Sequence, residues 1–185
     1  MIASFPQKVT FSQIAEILLE IDKELAEKTH AKGCPYCGGK LDKGYYRRYP
    51  AGSPLDKLLN LIRFSFCCRE EGCRKRVLPP SCIFFGRKVY WSCIILVSVA
   101  LQQLNVKTAE QVEKRLGVSL RTLRRWMAFF RSIYLQSRAW FLRQGFIPVN
   151  LSAREVIGGL YKHYVDQKGE LSGLVAFLSF MAIDP

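Results

Sequence analysis

Two short-spaced cysteine pairs constrain this chain more than anything else in it. Cys34-Pro35-Tyr36-Cys37 is followed, thirty residues on, by Cys68-Arg69-Glu70-Glu71-Gly72-Cys73. Pairs spaced in this way converge on one tetrahedral centre, and Zn²⁺ takes four thiolates in a closed structural site at ~2.3 Å each. Gly38 and Gly39 follow the first pair and Gly72 precedes the last cysteine. Turning the backbone around an ion needs positive-φ positions, which glycine tolerates. The sequence therefore predicts a zinc site of Cys34, Cys37, Cys68 and Cys73. Cys67 competes with Cys68 for the third place, but adjacent side chains on an extended strand point opposite ways. Only one of them faces the metal, and Cys68 gives the better spacing. His30, four residues before Cys34, is assigned to the surface because four better-spaced ligands exist.

The other cysteines, Cys82 and Cys93, read as small buried hydrophobes. Seven cysteines would suit an exported disulfide scaffold, but the N-terminus has no basic region followed by an apolar run. The longest apolar run, near Cys93–Leu101, is short of the ~20 residues a bilayer span needs. A cytoplasmic, metal-binding protein with no membrane association is the expectation.

The net charge of +13 is concentrated in two blocks. Residues 31–88 carry +9 and residues 105–145 carry +7, while 1–30 and 146–185 carry −2 and −1 and 89–104 carry no charge. Each basic block coincides with a candidate binding motif, which points to a polyanionic partner, most simply nucleic acid.

Periodicity divides the chain into four parts and gives an α+β, mostly helical, fold class. Residues 1–30 form an amphipathic helix. Thr10-Phe11-Ser12-Gln13 reads as a capping box, Ile14, Ile17, Leu18, Ile21 and Leu25 recur at helical spacing, and Glu16, Glu20, Glu24 and Glu27 face outward. Residues 31–88 form a small β zinc ribbon. Its strand-like stretches, Lys43–Tyr49 and Leu61–Phe66, mix aromatics with arginine and are separated by the turn Ala51-Gly52-Ser53-Pro54. Residues 89–145 form a helical domain opening with a nearly all-round apolar helix from about Tyr90 to Leu104, which must be buried. Residues 146–185 add C-terminal helices: one opened by a Ser152-Ala153-Arg154-Glu155 capping box and weakened by Gly158-Gly159, and a strongly apolar one over Leu171–Ile183.

Within the third part, Thr108–Leu116 and Leu120–Trp126 flank Gly117-Val118-Ser119. Gly117 closes the first helix and Ser119 caps the second. Val112, Leu116, Val118, Leu123 and Trp126 fall inward, leaving Ser119, Leu120, Arg121, Arg124 and Arg125 outward at the start of the second helix. A recognition helix meets base edges and phosphates there. The DNA-contacting set is Ser119, Arg121, Thr122, Arg124 and Arg125, with Arg47, Arg48, Arg74, Lys75 and Arg76 of the ribbon holding phosphates.

This passage resembles the helix-turn-helix of bacterial repressors and transposases, in which a leucine-glycine-valine-serine turn precedes an arginine-rich helix. It departs at Glu113, where the family has a small residue, so the helices cross more widely here or Glu113 snorkels outward. The cysteine block resembles the C-x2-C…C-x4-C fingers of small phage transcription activators. Arg63–Tyr90, with Cys67-Cys68…Gly72-Cys73-Arg74 and Leu78-Pro79-Pro80-Ser81, resembles small proteins encoded beside transposases in bacterial mobile elements. The resemblance spans about Cys34–Trp126. It implies a non-catalytic DNA-binding protein, acting as a mobile-element accessory subunit beside a transposase or recombinase, or as a transcription regulator. It carries over no catalytic residues.

Two other classes compete. A transposase core needs separated carboxylates holding two Mg²⁺ ions, and the chain has fifteen acidic residues, five of them on the first helix. A rubredoxin-like iron centre would leave the arginines and the helix-turn-helix without a role. An RNA- or single-strand-binding ribbon would stack bases on Tyr45, Tyr46, Tyr49, Phe64 and Phe66. Finally, Leu171, Leu174, Val175, Phe177, Leu178, Phe180 and Met181 surround the last helix, so residues 171–183 are expected to self-associate or dock on a partner.

Overall fold

The structure, a computed structural model, describes residues 11–48, 61–84, 91–103, 108–116, 118–147, 151–152 and 154–182. The expected Thr10 cap, the turn at 51–54, Tyr49, Tyr90 and the Gly117 cap lie outside the described residues, as do the side chains of Val112 and Leu116. The fold is α+β and mostly helical. Helix α1 (Phe11–Lys32) leads into five short strands, β1 (Leu41–Asp42), β2 (Tyr45–Arg48), β3 (Leu61–Phe64), β4 (Phe66–Cys68) and β5 (Arg76–Val77). Six helices follow: α2 (Ser92–Gln103), α3 (Ala109–Leu116), α4 (Leu120–Arg131), α5 (Arg138–Gln144), α6 (Val156–Lys168) and α7 (Glu170–Phe180), with a 3-10 turn at Tyr134–Gln136. No helix among the described residues is long and apolar enough to cross a membrane.

The strands form two antiparallel sheets. One has the order β1-β4-β5, with Leu41 opposite Cys68 and Phe66 opposite Val77; the other pairs β2 with β3, Tyr45 opposite Phe64. The first sheet covers a small core of Ala26, Cys34, Leu41, Phe66, Cys68 and Val77. A much larger core gathers α2, α4, α6 and α7 around Trp91, Phe130, Tyr134, Tyr161 and Phe177. Cys82 and Cys93 are buried in it, and burial pushes both thiols up to about 12, so they pack as neutral hydrophobes.

Helix α1 belongs to both cores. Ile14, Ala15 and Leu18 enter the large one and Ala26 the small one, while Glu16, Glu20, Glu24 and Glu27 are exposed as expected. Of the expected stripe, Ile14 and Leu18 are buried and Ile21 and Leu25 pack half-buried against the large core. Ile17 is exposed, and the buried positions follow every fourth residue through Ile14, Leu18, Asp22 and Ala26. Asp22 is thus buried between the two cores. Its carboxylate accepts the Ser81 hydroxyl and the Cys82 N–H, and the buried, cationic Arg63 of β3 adds a Coulombic pull. Burial nevertheless dominates and raises the Asp22 pKa to about 6. Arg63 is buried, with its guanidinium 5.9 Å from the Phe84 ring centroid.

Two further corrections come from helix ends. The Ser152 box does not cap α6, which begins only at Val156, with no side-chain cap from Glu155. Its first turn is satisfied from another helix: the buried Gly158 N–H donates to Gln103 Oε1 of α2 at 2.8 Å. A capping box does form at α3, where the Thr108 N–H donates to Gln111 Oε1 and the Gln111 N–H to Thr108 Oγ1. The sequence carries that T-x-x-Q pattern openly.

The apolar α7 is largely covered. Leu174, Phe177, Leu178 and Met181 are buried and Leu171, Val175 and Phe180 half-buried. Close approach to α6 makes this possible. A Cβ at Gly173 would lie 2.5 Å from the Val165 Cα, so only glycine lets the two helices meet there.

Candidate metal centre and nucleic-acid interface

Each cysteine pair sits on a tight turn beside the β1-β4-β5 sheet. After Cys34 the chain turns back, with the Gly38 N–H donating to the Cys34 carbonyl and the Cys34 N–H to the Gly39 carbonyl, both at 2.8 Å. Gly38 is left-handed at φ 74°, as expected of such a turn. In the second turn the N–H groups of Cys73 and Arg74 both donate to the Glu70 carbonyl. There the left-handed residue is Arg74 (φ 44°), not Gly72. A side chain at that φ is strained, and the strain falls one residue after the last cysteine.

These turns bring together the four predicted thiols. The sulfurs of Cys34, Cys37, Cys68 and Cys73 all lie within 4.8 Å of one another and form a group able to hold a metal ion. The Cys37 and Cys68 sulfurs are 3.4 Å apart and those of Cys34 and Cys73 3.7 Å. Cys67 lies on the opposite, exposed face of β4, its thiol directed at the carbonyls of Cys68 and Arg74. His30 is outside the group too. It is half-buried, with Nε2 2.9 Å from the Leu41 carbonyl and its ring edge-on to Phe66, so it packs under the sheet instead of lying free on the surface.

The electrostatics suit a cation. Burial works against a thiolate at Cys34, but the N–H groups of Tyr36 and Cys37 donate to its sulfur and bring the pKa down to about 7. Burial pushes Cys68 up to about 12, against the Glu70 N–H, and the neighbouring thiols add to the rise. Four thiols this close cannot all ionise alone, and a bound cation removes the conflict.

Around the α3–α4 turn the side chains divide between core and solvent. Val118, Leu123 and Trp126 are buried, joined by Phe130. Ser119 caps α4, its Oγ accepting the Thr122 N–H at 3.3 Å. Ser119, Arg121, Arg124 and Arg125 are exposed. Thr122 is half-buried and serves the cap, its Oγ1 accepting the Ser119 hydroxyl at 3.0 Å. Glu113 does not snorkel outward: its Oε1 accepts the Leu120 N–H at 3.3 Å, satisfying a free donor at the start of α4. A carboxylate is favoured there by the helix dipole. Nothing local in the sequence announced this contact, because its partner is seven residues away across a turn.

On the ribbon, Arg47, Arg74, Lys75 and Arg76 are exposed and Arg48 is half-buried, 5.1 Å over the Tyr46 ring. Lys75 stands 4.4 Å from the ring centroid of the exposed Tyr36, beside the cysteine turns. Of the aromatics, Phe66 is buried, Phe64 and Tyr46 are half-buried, and Tyr45 is exposed. Comparison with protein-family models, with curated proteins and with solved structures finds no match.

Proposed function

We propose that the chain is a non-catalytic, zinc-containing protein that binds duplex DNA, reading bases with α4 from its Ser119 end and holding phosphates with the ribbon. The role that fits is accessory subunit of a mobile element, working beside a transposase or recombinase, or transcription regulator. The observation that carries the reading is the division of α4. Leu123, Trp126 and Phe130 are buried while Ser119, Arg121, Arg124 and Arg125 stay in solvent at the helix start. An arginine so placed can pair bidentately with guanine, each good pair adding ~1–3 kcal/mol of discrimination. For the ion, four sulfurs at ~2.3 Å from a tetrahedral zinc stand ~3.8 Å apart, close to the 3.4 Å between Cys37 and Cys68 and the 3.7 Å between Cys34 and Cys73.

Titrating the protein against duplexes of varied sequence, at low and moderate salt, tests this. Affinity should fall steeply with salt as phosphate counterions are released. Alanine at Arg121 or Arg125 should relax base preference, whereas alanine at Arg74 or Arg76 should weaken all sequences alike. A salt-independent affinity, or equal losses at all four positions, would overturn the reading. One observation favours a second reading: Tyr36 and Tyr45 are exposed, with Lys75 against the former. Stacking of unpaired bases would use them, and preference for single strands over duplex in the same titration would select it.

A further inference from the structure

The exposed apolar surface expected at the C-terminus is found elsewhere. Phe141 is 71 % exposed, Leu142 58 %, Phe146 81 %, and Ile133, in the turn before α5, 63 %. The only other exposed large apolar side chains among the described residues are Ile17 on α1 and Tyr36 and Tyr45 on the ribbon. The inner side of α5 explains why this side is turned outward. Trp140 packs against Tyr134 with ring centroids 5.6 Å apart, Ser137 caps the helix, and Arg143 donates to the Ala182 carbonyl after α7.

We propose that α5 and the turn before it form a self-complementary face on which a second copy of this chain docks, α5 against α5, about a two-fold axis. Area is the first argument. At ~200 Å² per large side chain, the four residues offer roughly 500 Å² of apolar surface per copy, near the upper end of what a monomer leaves exposed. A standard interface takes ~800 Å² from each partner, so this patch supplies its core and a polar rim the remainder. The second argument is complementarity. An apolar face is best met by another, and among the described residues the other exposed large apolar side chains, Ile17, Tyr36 and Tyr45, lie on α1 and the ribbon, so the best-matched surface this chain offers is the same one on a second copy. A patch that covers its own copy makes an isologous, closed contact.

The rim fixes the sign of the salt effect. Arg131 and Arg138 are exposed beside the patch, and the sequence has no acidic residue between Glu113 and Glu155. Like charges therefore face each other across the axis, and screening them strengthens association. DNA binding would respond to salt in the opposite direction, so the two processes are separable.

Sedimentation of the full-length, metal-loaded protein over a range of concentration and salt tests the proposal. A reversible dimer that tightens from low to moderate salt is expected. Phe141→Ser and Phe146→Ser should each weaken it by roughly tenfold or more, with helix content and bound metal unchanged. Leu142→Gln provides a third variant should either fail to fold. A monomer at every concentration, a dimer indifferent to these substitutions, or one loosened by salt would overturn it. So would a monomer that floats with phosphatidylserine vesicles in a Phe141-dependent way, which would make the occupant a lipid surface.

Discussion

The ribbon and the helical body hold themselves together by different means. Among the described residues the small core beside the β1-β4-β5 sheet holds six buried apolar side chains, five from the ribbon and Ala26 from α1, two of them cysteines of the metal group, around strands of two or three residues. The helical body buries Trp91, Phe130, Tyr134, Tyr161 and Phe177 within one continuous core. A core as small as the ribbon's cannot offset the entropy of ordering its turns. The body has no such need, since its apolar burial suffices. Where a chain lacks the volume to bury apolar groups, a metal centre can substitute for them.

Removing the metal should break this contrast most visibly. A chelator at neutral pH should unfold the ribbon and leave the helical signal of α2–α7 largely intact, since structural zinc contributes ~10–16 kcal/mol to folding in small modules. Circular dichroism and amide exchange would show it. Cys68→Ser should behave like the chelated protein and Cys67→Ser like the untreated one. A ribbon that stays ordered without metal would mean that its six-residue core is enough.

The converse experiment is next in size. Phe130→Ala opens the large core and should cost ~3–5 kcal/mol, read by denaturant melts, while bound metal stays stoichiometric. Loss of metal in step with the helices would show that the two regions do not stand separately.

Asp22 sharpens the comparison at the boundary, with the smallest effect. Its carboxyl is raised from 3.8 to about 6, so between those values the folded protein binds more protons than the unfolded chain. Its contribution is fully present below about 4 and is lost as pH rises through 6. Against Asp22→Asn, the native protein should lose up to ~3 kcal/mol between pH 4 and 7, measured as the difference between two denaturation curves. A pH-independent difference would mean that Asp22 is solvated at the boundary and does not join the two regions.

What could be read from sequence was whatever is local. Cysteine spacing picked out the four thiols that converge, and the Val118-Ser119 turn picked out both the buried valine and the cap. The contacts that escaped are those between distant segments. The burial of Asp22 escaped because Ser81, which bonds it, is 59 residues away. The burial of Arg63 escaped likewise, because the Phe84 ring and Asp22 that lie near it come from distant segments. The cap of α6 comes from Gln103, 55 residues earlier, and no inspection of Ser152 reveals that. The covering of α7 escaped because the close approach that Gly173 allows depends on α6 being opposite.

Helix α1 has a mechanical meaning of its own. It is fastened near its start by Ile14 and Leu18 in one core and near its end by Ala26 in the other. At 1.5 Å per residue, Ile14 and Ala26 stand about 18 Å apart along a rod that resists bending over so short a length. A load applied to the ribbon is therefore carried along the axis of a strut instead of being absorbed at a hinge. When the ribbon turns, the helical body turns with it.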